Sequence, residues 1–155
     1  MDVRTVAVIG AGTMGAGIAQ VCAQTGWQTN LFDAYPEGLE RGMNTINEFW
    51  DNGIARGKTT PEQKEEWSAN IHTFSDMRNA VKDVDLVIEA VAERLDIKHA
   101  VYNNIVPHLK ESVILTSNTS GIISIKLELL ISFDLIFCFN TIDNLSKFII
   151  LGLIL

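Results

Sequence analysis

An α/β fold with a doubly wound, mostly parallel sheet is predicted by three observations. Short apolar runs rich in β-branched residues alternate with longer amphipathic stretches along residues 4–121. A glycine cluster follows the first run directly, and an acid ends the second. Alternation of this kind places helices over both faces of a parallel sheet.

The elements follow in order. Val6–Ile9, within residues 4–9, is short and apolar, the pattern of a buried strand. Gly10-Ala11-Gly12-Thr13-Met14-Gly15 comes next with G-x-G-x-x-G spacing. Gly10 permits the tight turn, Gly12 leaves the backbone open to a pyrophosphate, and Gly15 lets the next helix pack close to the sheet. Residues 13–25 carry that helix, whose N-terminus turns free N–H groups and a positive dipole end toward phosphates. Residues 28–33 form a second strand ending at Asp33, where a carboxylate accepts hydrogen bonds from an adenosine ribose. Strand, glycines, helix and acid in this order point to a dinucleotide. Asp33 repels a 2′-phosphate and Ala34-Tyr35-Pro36 offers no Arg to receive one, so NAD is expected over NADP. FAD, which uses a similar turn, is the alternative.

Pro36 opens a long helix with Leu39, Met43, Ile46 and Trp50 at helical spacing, closed by Gly53 and Gly57. Thr60-Pro61-Glu62-Gln63 is a capping box for a second helix, with Trp67 and Ile71 on one face or at its exit. This inserted helical hairpin is either a packing elaboration or an arm that touches substrate. Residues 71–74 make a short strand, 76–82 a short helix or turn, and Leu86-Val87-Ile88 a buried strand within 84–91. Residues 94–110 make a helix with Pro107 near its end. Val113-Ile114-Leu115 is a strand running into Ser117-Asn118-Thr119-Ser120-Gly121.

Composition bounds the function. The chain has 155 residues, 47% of them hydrophobic, enough for one domain with a real core. A net charge of −7 argues against nucleic acid, which rewards clustered Lys and Arg. Cys22 and Cys138 belong to no metal or redox spacing and read as reduced, buried thiols of a cytoplasmic protein; no metal site is expected. Met1-Asp2-Val3-Arg4 leads straight into a strand, without a secretory signal. No apolar run reaches the ~18 residues of a transmembrane helix, so no membrane association is expected.

Two further motifs end strands, where ligands of open parallel sheets bind. They are Glu89-Ala90-Val91-Ala92-Glu93-Arg94-Leu95-Asp96-Ile97-Lys98 and Ser117-Asn118-Thr119-Ser120. With the glycine loop and the hairpin, residues 4–121 resemble the NAD-binding Rossmann-type domain of the L-3-hydroxyacyl-CoA dehydrogenases, including 3-hydroxybutyryl-CoA dehydrogenases. The resemblance implies NAD as cofactor, an acyl-CoA substrate, and oxidation of L-3-hydroxyacyl-CoA to 3-oxoacyl-CoA. It places Gly10, Gly12, Thr13, Met14 and Gly15 along the pyrophosphate and Asp33 on the adenosine ribose. Ala90, Ala92 and Glu93 line the nicotinamide side, Lys98 approaches the cofactor's ribose side, and Ser120 lies near nicotinamide and substrate hydroxyl. Arg56 and Lys58 are the cations available to a CoA moiety. On the motif alone, Glu93 and Lys98 are a surface ion pair, and Glu89 satisfies N–H groups at the helix start. His72, His99 and His108 read as solvated side chains, and Trp27, Trp50 and Trp67 as packing residues. The alternatives are a catalytically silent NAD-binding or structural protein and another NAD-dependent β-hydroxyacid dehydrogenase.

The family pattern then breaks. Its later strand ends in H-F-F-N-P, whose His takes the alcohol proton and is oriented by a later Glu. Here Phe137-Cys138-Phe139-Asn140-Thr141 is the nearest match, with Phe137 in place of His and Ile149 in place of Glu. Residues 122–155 lack Ala, Val, Arg, Pro, Gln and His and are dominated by Ile, Leu and Phe. We read an atypical apolar tail produced by a shifted or interrupted reading frame soon after Gly121 or Leu127. A divergent tail that makes a strand and a capping helix is the rival. The helical substrate domain, through which the family is usually homo-oligomeric, is expected to be absent.

Overall fold

The computed structural model describes residues 3–118 and the backbone of residues 136–138. The strands are β1 (Thr5–Ile9), β2 (Gln28–Phe32), β3 (Ile71–Phe74), β4 (Leu86–Glu89), β5 (Ile114–Ser117) and β6 (Ile136–Cys138). The helices are α1 (Thr13–Gln24), α2 (Pro36–Ala55), α3 (Pro61–Ala69), α4 (Met77–Ala80) and α5 (Leu95–Ile105). The sheet order is β3-β2-β1-β4-β5-β6, and every pairing is parallel. The doubly wound Rossmann-type sheet with an inserted hairpin is therefore the observed fold.

Period-two alternation decides the two cores. Val6, Val8, Leu31, Leu86 and Ile88 face one side, where α1 and α2 cover them with Ile18, Ala19, Ile46 and Trp50. Ala7, Ile9, Phe32, Val87 and Leu115 face the other, under Ala80, Val81, Val101, Tyr102 and Ile105. β1 and the Leu86-Val87-Ile88 run of β4, at the centre of the sheet, are apolar on both faces because helices cover both.

The hairpin packs as a core element at its first helix. Trp50 is fully buried, its ring centroid 5.9 Å from that of Trp67. The capping box is formed: Thr60 Oγ1 accepts from the Gln63 N–H and Gln63 Oε1 from the Thr60 N–H. α2 continues through Gly53 to Ala55, past the glycine expected to stop it, because its last turn keeps ordinary helical bonding up to the Arg56 N–H. Beyond α5, Val106–His108 tightens into a 3-10 turn, which tolerates Pro107 where an α-helix interior does not. His72 shares a 2.8 Å hydrogen bond with Gln28 Oε1. His99 departs from the expectation of a solvated ring: its Nε2 is buried with no partner among the described residues.

Two ionisable groups serve the scaffold. Partial burial pushes the Asp85 carboxyl up, but hydrogen bonds from Lys110 Nζ (2.6 Å) and the Arg4 and Thr5 N–H groups (3.0 Å each) outweigh it. The carboxyl is held down at about 2. Burial in α1 pushes the Cys22 thiol up to about 12.

At their carboxyl ends the strands are in register. Ile9 lies opposite Phe32 and Glu89, Phe32 opposite Phe74, Glu89 opposite Ser117, and Ser117 opposite Cys138. This edge therefore carries the glycine loop, Asp33, the loop after Glu89 and the start of the Ser117-Asn118 turn. β6 supplies its last position from within the compositionally distinct stretch; residues 119–135 and 139–155, including Ser120, lie outside the described residues.

Candidate functional site

The glycine loop leaves β1 at the centre of this edge. Gly10 adopts φ +108°, a conformation L side chains rarely take, and a Cβ there would stand 2.7 Å from the Ala90 carbonyl oxygen. Its N–H donates to Phe32 O, and the Ala90 N–H donates to Ile9 O, both at 2.8 Å, so the loop is fastened to both neighbouring strands. Gly15 makes its close approach to the loop itself: a Cβ would overlap the Gly10 carbonyl oxygen, with the sheet further off. Gly12 faces open space, with nothing within 4 Å of a Cβ. Gly12, Thr13 and Met14 are exposed at the mouth. α1 starts without a side-chain cap and with no acid in its first turn, leaving its N–H groups available to an anion.

Asp33 has a role the sequence did not reveal. Its Oδ2 accepts from the Ala11 N–H at 2.8 Å and its Oδ1 from the Tyr35 N–H at 3.0 Å. The carboxylate clamps the loop while keeping lone pairs for a ligand. A cavity of about 360 Å³ opens beside it, lined by Gly12, Thr13, Asp33, Tyr35 and Arg41. A second, of about 350 Å³, shares Asp33 and extends over Leu39, Met43 and Thr73. Such volumes are ordinary for small-molecule sites. An exposed backbone at Gly12, an uncapped helix start and an acid beside them fit a dinucleotide. Residues 34–36 hold no Arg, as the sequence reads; Arg41, from the second turn of α2, shares the cavity lining with Asp33.

The Glu89 motif is rearranged relative to expectation. Lys98, expected to approach the cofactor's ribose side or to pair with Glu93 on the surface, is fully buried. Its Nζ donates to both oxygens of Glu89 at 2.8 and 2.7 Å. The same carboxylate accepts from the Val91 N–H (2.8 Å), Tyr102 Oη (3.1 Å) and Ser117 Oγ (2.6 Å). The physical reason is placement: the first turn of α5 aims Lys98 inward at a carboxylate that ends β4 without solvent, and a buried charge requires a partner. Glu89 thus does satisfy a backbone N–H, at Val91 rather than at the helix start. Ala90 is half-buried, while Ala92 and Glu93 are exposed on the loop above. The Asn118 N–H donates to Glu89 O at 2.8 Å, bringing the Ser117-Asn118 turn beside this loop. Arg56 and Lys58 are exposed at the far end of α2, about 22 Å along the helix from Arg41 at 1.5 Å per residue, and are not brought together with the glycine loop.

Among the described residues no group of His, Cys, Asp and Glu is arranged to hold a metal, and no helix is long and apolar enough to cross a membrane.

Residues 5–131 match the model of the 3-hydroxyacyl-CoA dehydrogenase NAD-binding domain. The 3-hydroxyadipyl-CoA dehydrogenase of Escherichia coli K12 is 41% identical over 122 residues, covering 79% of this chain and 26% of that protein. A probable 3-hydroxybutyryl-CoA dehydrogenase of Deinococcus radiodurans is 39% identical over 115 residues, 74% of this chain and 41% of that one. The crystal structure of (S)-3-hydroxybutyryl-CoA dehydrogenase from Ralstonia eutropha superposes with a TM-score of 0.80 at 36% identity, over 84% of this chain and 46% of that chain. The chain thus spans less than half the length of these relatives. Two independent likenesses, in sequence and in backbone, fall on the same stretch as the glycine loop, Asp33 and the Glu89 motif, and the chain accordingly belongs to the NAD-binding domain family of the 3-hydroxyacyl-CoA dehydrogenases.

Proposed function

We propose that this chain holds NAD across the carboxyl edge of its sheet as the cofactor-binding part of an L-3-hydroxyacyl-CoA dehydrogenase. The observation that carries the reading is the open, uncapped Gly12 backbone facing a cavity that Asp33 also lines. Gly10, Gly12, Thr13, Met14 and Gly15 cradle the pyrophosphate, and Asp33 takes the adenosine ribose. Ala90, Ala92 and Glu93 form the nicotinamide side. Lys98 acts through Glu89, whose hydrogen bonds to Val91 and Ser117 tie the two loops flanking the nicotinamide. NAD, when bound, accepts the hydride from C3 of a hydroxyacyl-CoA. Ser120, three residues beyond Ser117, hydrogen-bonds the substrate hydroxyl. The protein works in the cytoplasm, with homo-oligomer formation as in the intact family.

Phe137 favours a second reading, nucleotide binding without turnover. β6 lies beside β5 with Phe137 opposite Thr116, and a phenyl ring accepts no proton. Loss of a general base typically costs about 10²–10⁴-fold. Calorimetry with NAD, followed by an assay of NADH oxidation by acetoacetyl-CoA, separates the readings. Binding without oxidation is expected. Measurable turnover refutes the second reading, and absence of NAD binding refutes both.

A further inference from the structure

We propose that Arg41 is a phosphate-contacting residue of the nucleotide site, resting on the reading above that the glycine-loop cavity takes an adenine dinucleotide. Arg41 lies on a stripe of α2 formed by Gly38, Arg41, Gly42 and Thr45, positions that share one helix face. Two glycines on that stripe bring the helix against the loop. A Cβ on Gly42 would stand 2.7 Å from the Ala11 carbonyl oxygen, and one on Gly38 would stand 2.7 Å from Asp33 Oδ1. Side chains at these two positions would push α2 outward and carry Arg41 away. Instead Arg41 shares a cavity wall with Gly12, Thr13 and Asp33.

Charge completes the argument. Asp33, the acid on the cavity wall, accepts from the Ala11 and Tyr35 N–H groups and is not paired with Arg41. Arg41 makes no ion pair among the described residues. In a chain of net charge −7, a guanidinium that makes no ion pair among the described residues puts a positive charge on the same cavity as an uncapped helix start. A guanidinium presents a planar fork of donors that matches phosphate oxygens in pairs. The ligand chemistry is a phosphate on an adenosine, from one of two sources: the 5′-diphosphate of NAD or the 2′-phosphate of NADP.

The test uses the full chain, Arg41→Gln and Arg41→Lys, titrated with adenosine, 5′-ADP, 2′-AMP, NAD and NADP. Arg41 is exposed, so both variants are expected to fold, and circular dichroism checks this. Arg41→Gln is expected to weaken a phosphate-bearing ligand by about tenfold or more, with adenosine unchanged, and Arg41→Lys to recover part of the loss. A loss on 5′-ADP and NAD assigns the diphosphate; a loss on 2′-AMP and NADP assigns the 2′-phosphate. Equal losses on adenosine and its phosphates, or no loss on either phosphate, overturn the proposal while leaving the nucleotide site standing. If the unaltered chain binds neither NAD nor NADP, the site itself fails and the proposal with it.

Discussion

Replacing Lys98 with Met tests the buried cluster most directly. Met keeps an unbranched stem of similar volume and removes the ammonium. Both Glu89 and Lys98 are wholly shielded from solvent, and the lost contacts are the pair at 2.7 and 2.8 Å. Breaking a buried ion pair from one side costs about 3–5 kcal/mol, because a charge is left without compensation. Here Ser117 Oγ, Tyr102 Oη and the Val91 N–H still donate to the carboxylate, which puts the expected loss at the lower end, about 3 kcal/mol. With a urea slope of about 1–3 kcal/mol/M, the unfolding midpoint should fall by about 1–3 M. Tryptophan fluorescence reports the transition through the buried Trp50. The double variant Lys98→Met with Glu89→Gln removes the stranded charge and should regain at least half of the loss. A single variant within about 0.5 kcal/mol of the unaltered chain, the scatter of ordinary surface substitutions, would refute the reasoning. So would a double variant no better than the single one.

Asp33→Ala removes both the ribose acceptor and the clamp on Ala11 and Tyr35, so NAD affinity in calorimetry should fall by on the order of 1–3 kcal/mol; unchanged affinity would show that Asp33 does not face the nucleotide. For Asp85 the folded carboxyl lies at about 2 against an ordinary 3.8, so its stabilisation is present above the ordinary value and lost as pH falls toward 2. Denaturation midpoints of the unaltered chain should therefore drop more steeply between those pH values than those of Asp85→Asn, and parallel curves would contradict this. Cys22, with its thiol pushed up to about 12, should resist iodoacetamide at pH 8 in the folded chain and react once urea exposes it, as peptide mass mapping will show; rapid labelling of the native protein would place it at the surface.

The parts of the fold legible in the sequence are those written in consecutive residues. Val6–Ile9, the glycine spacing and Asp33 specify strand, turn, helix and strand within a single local unit, and Thr60 to Gln63 caps α3 through contacts three residues apart. What escaped was set by tertiary placement. The partner of Lys98 is nine residues away, across the turn from β4 to α5, and only that turn's geometry selects Glu89 over the nearer Glu93. Arg41 escaped because its approach to Asp33 depends on how closely Gly38 and Gly42 let α2 dock, a property of two surfaces rather than of one segment. His99 looks polar and free in a string of letters, yet packing covers its Nε2. The sixth strand lies in a stretch whose composition differs from the rest; the match of residues 137–141 to the end of a strand pointed to it, and pairing with β5 places it in the sheet.

The shared register of the six strand ends has a consequence for how such a chain tolerates change in length. Inserting one residue into β4 ahead of Glu89 would slide its carboxylate about 3.3 Å past Ser117 and turn it to the opposite face of the sheet. The cluster would then lose its members together, and the loop carrying Ala90 and Glu93 would start from the wrong place. The turn between α2 and α3, where Arg56, Gly57 and Lys58 are exposed, carries no such obligation. Insertions and deletions should therefore accumulate at the tip of the hairpin, while strand lengths stay fixed to the residue, and a library of single-residue insertions scored for folding would trace the sheet's edge as a line of intolerant positions.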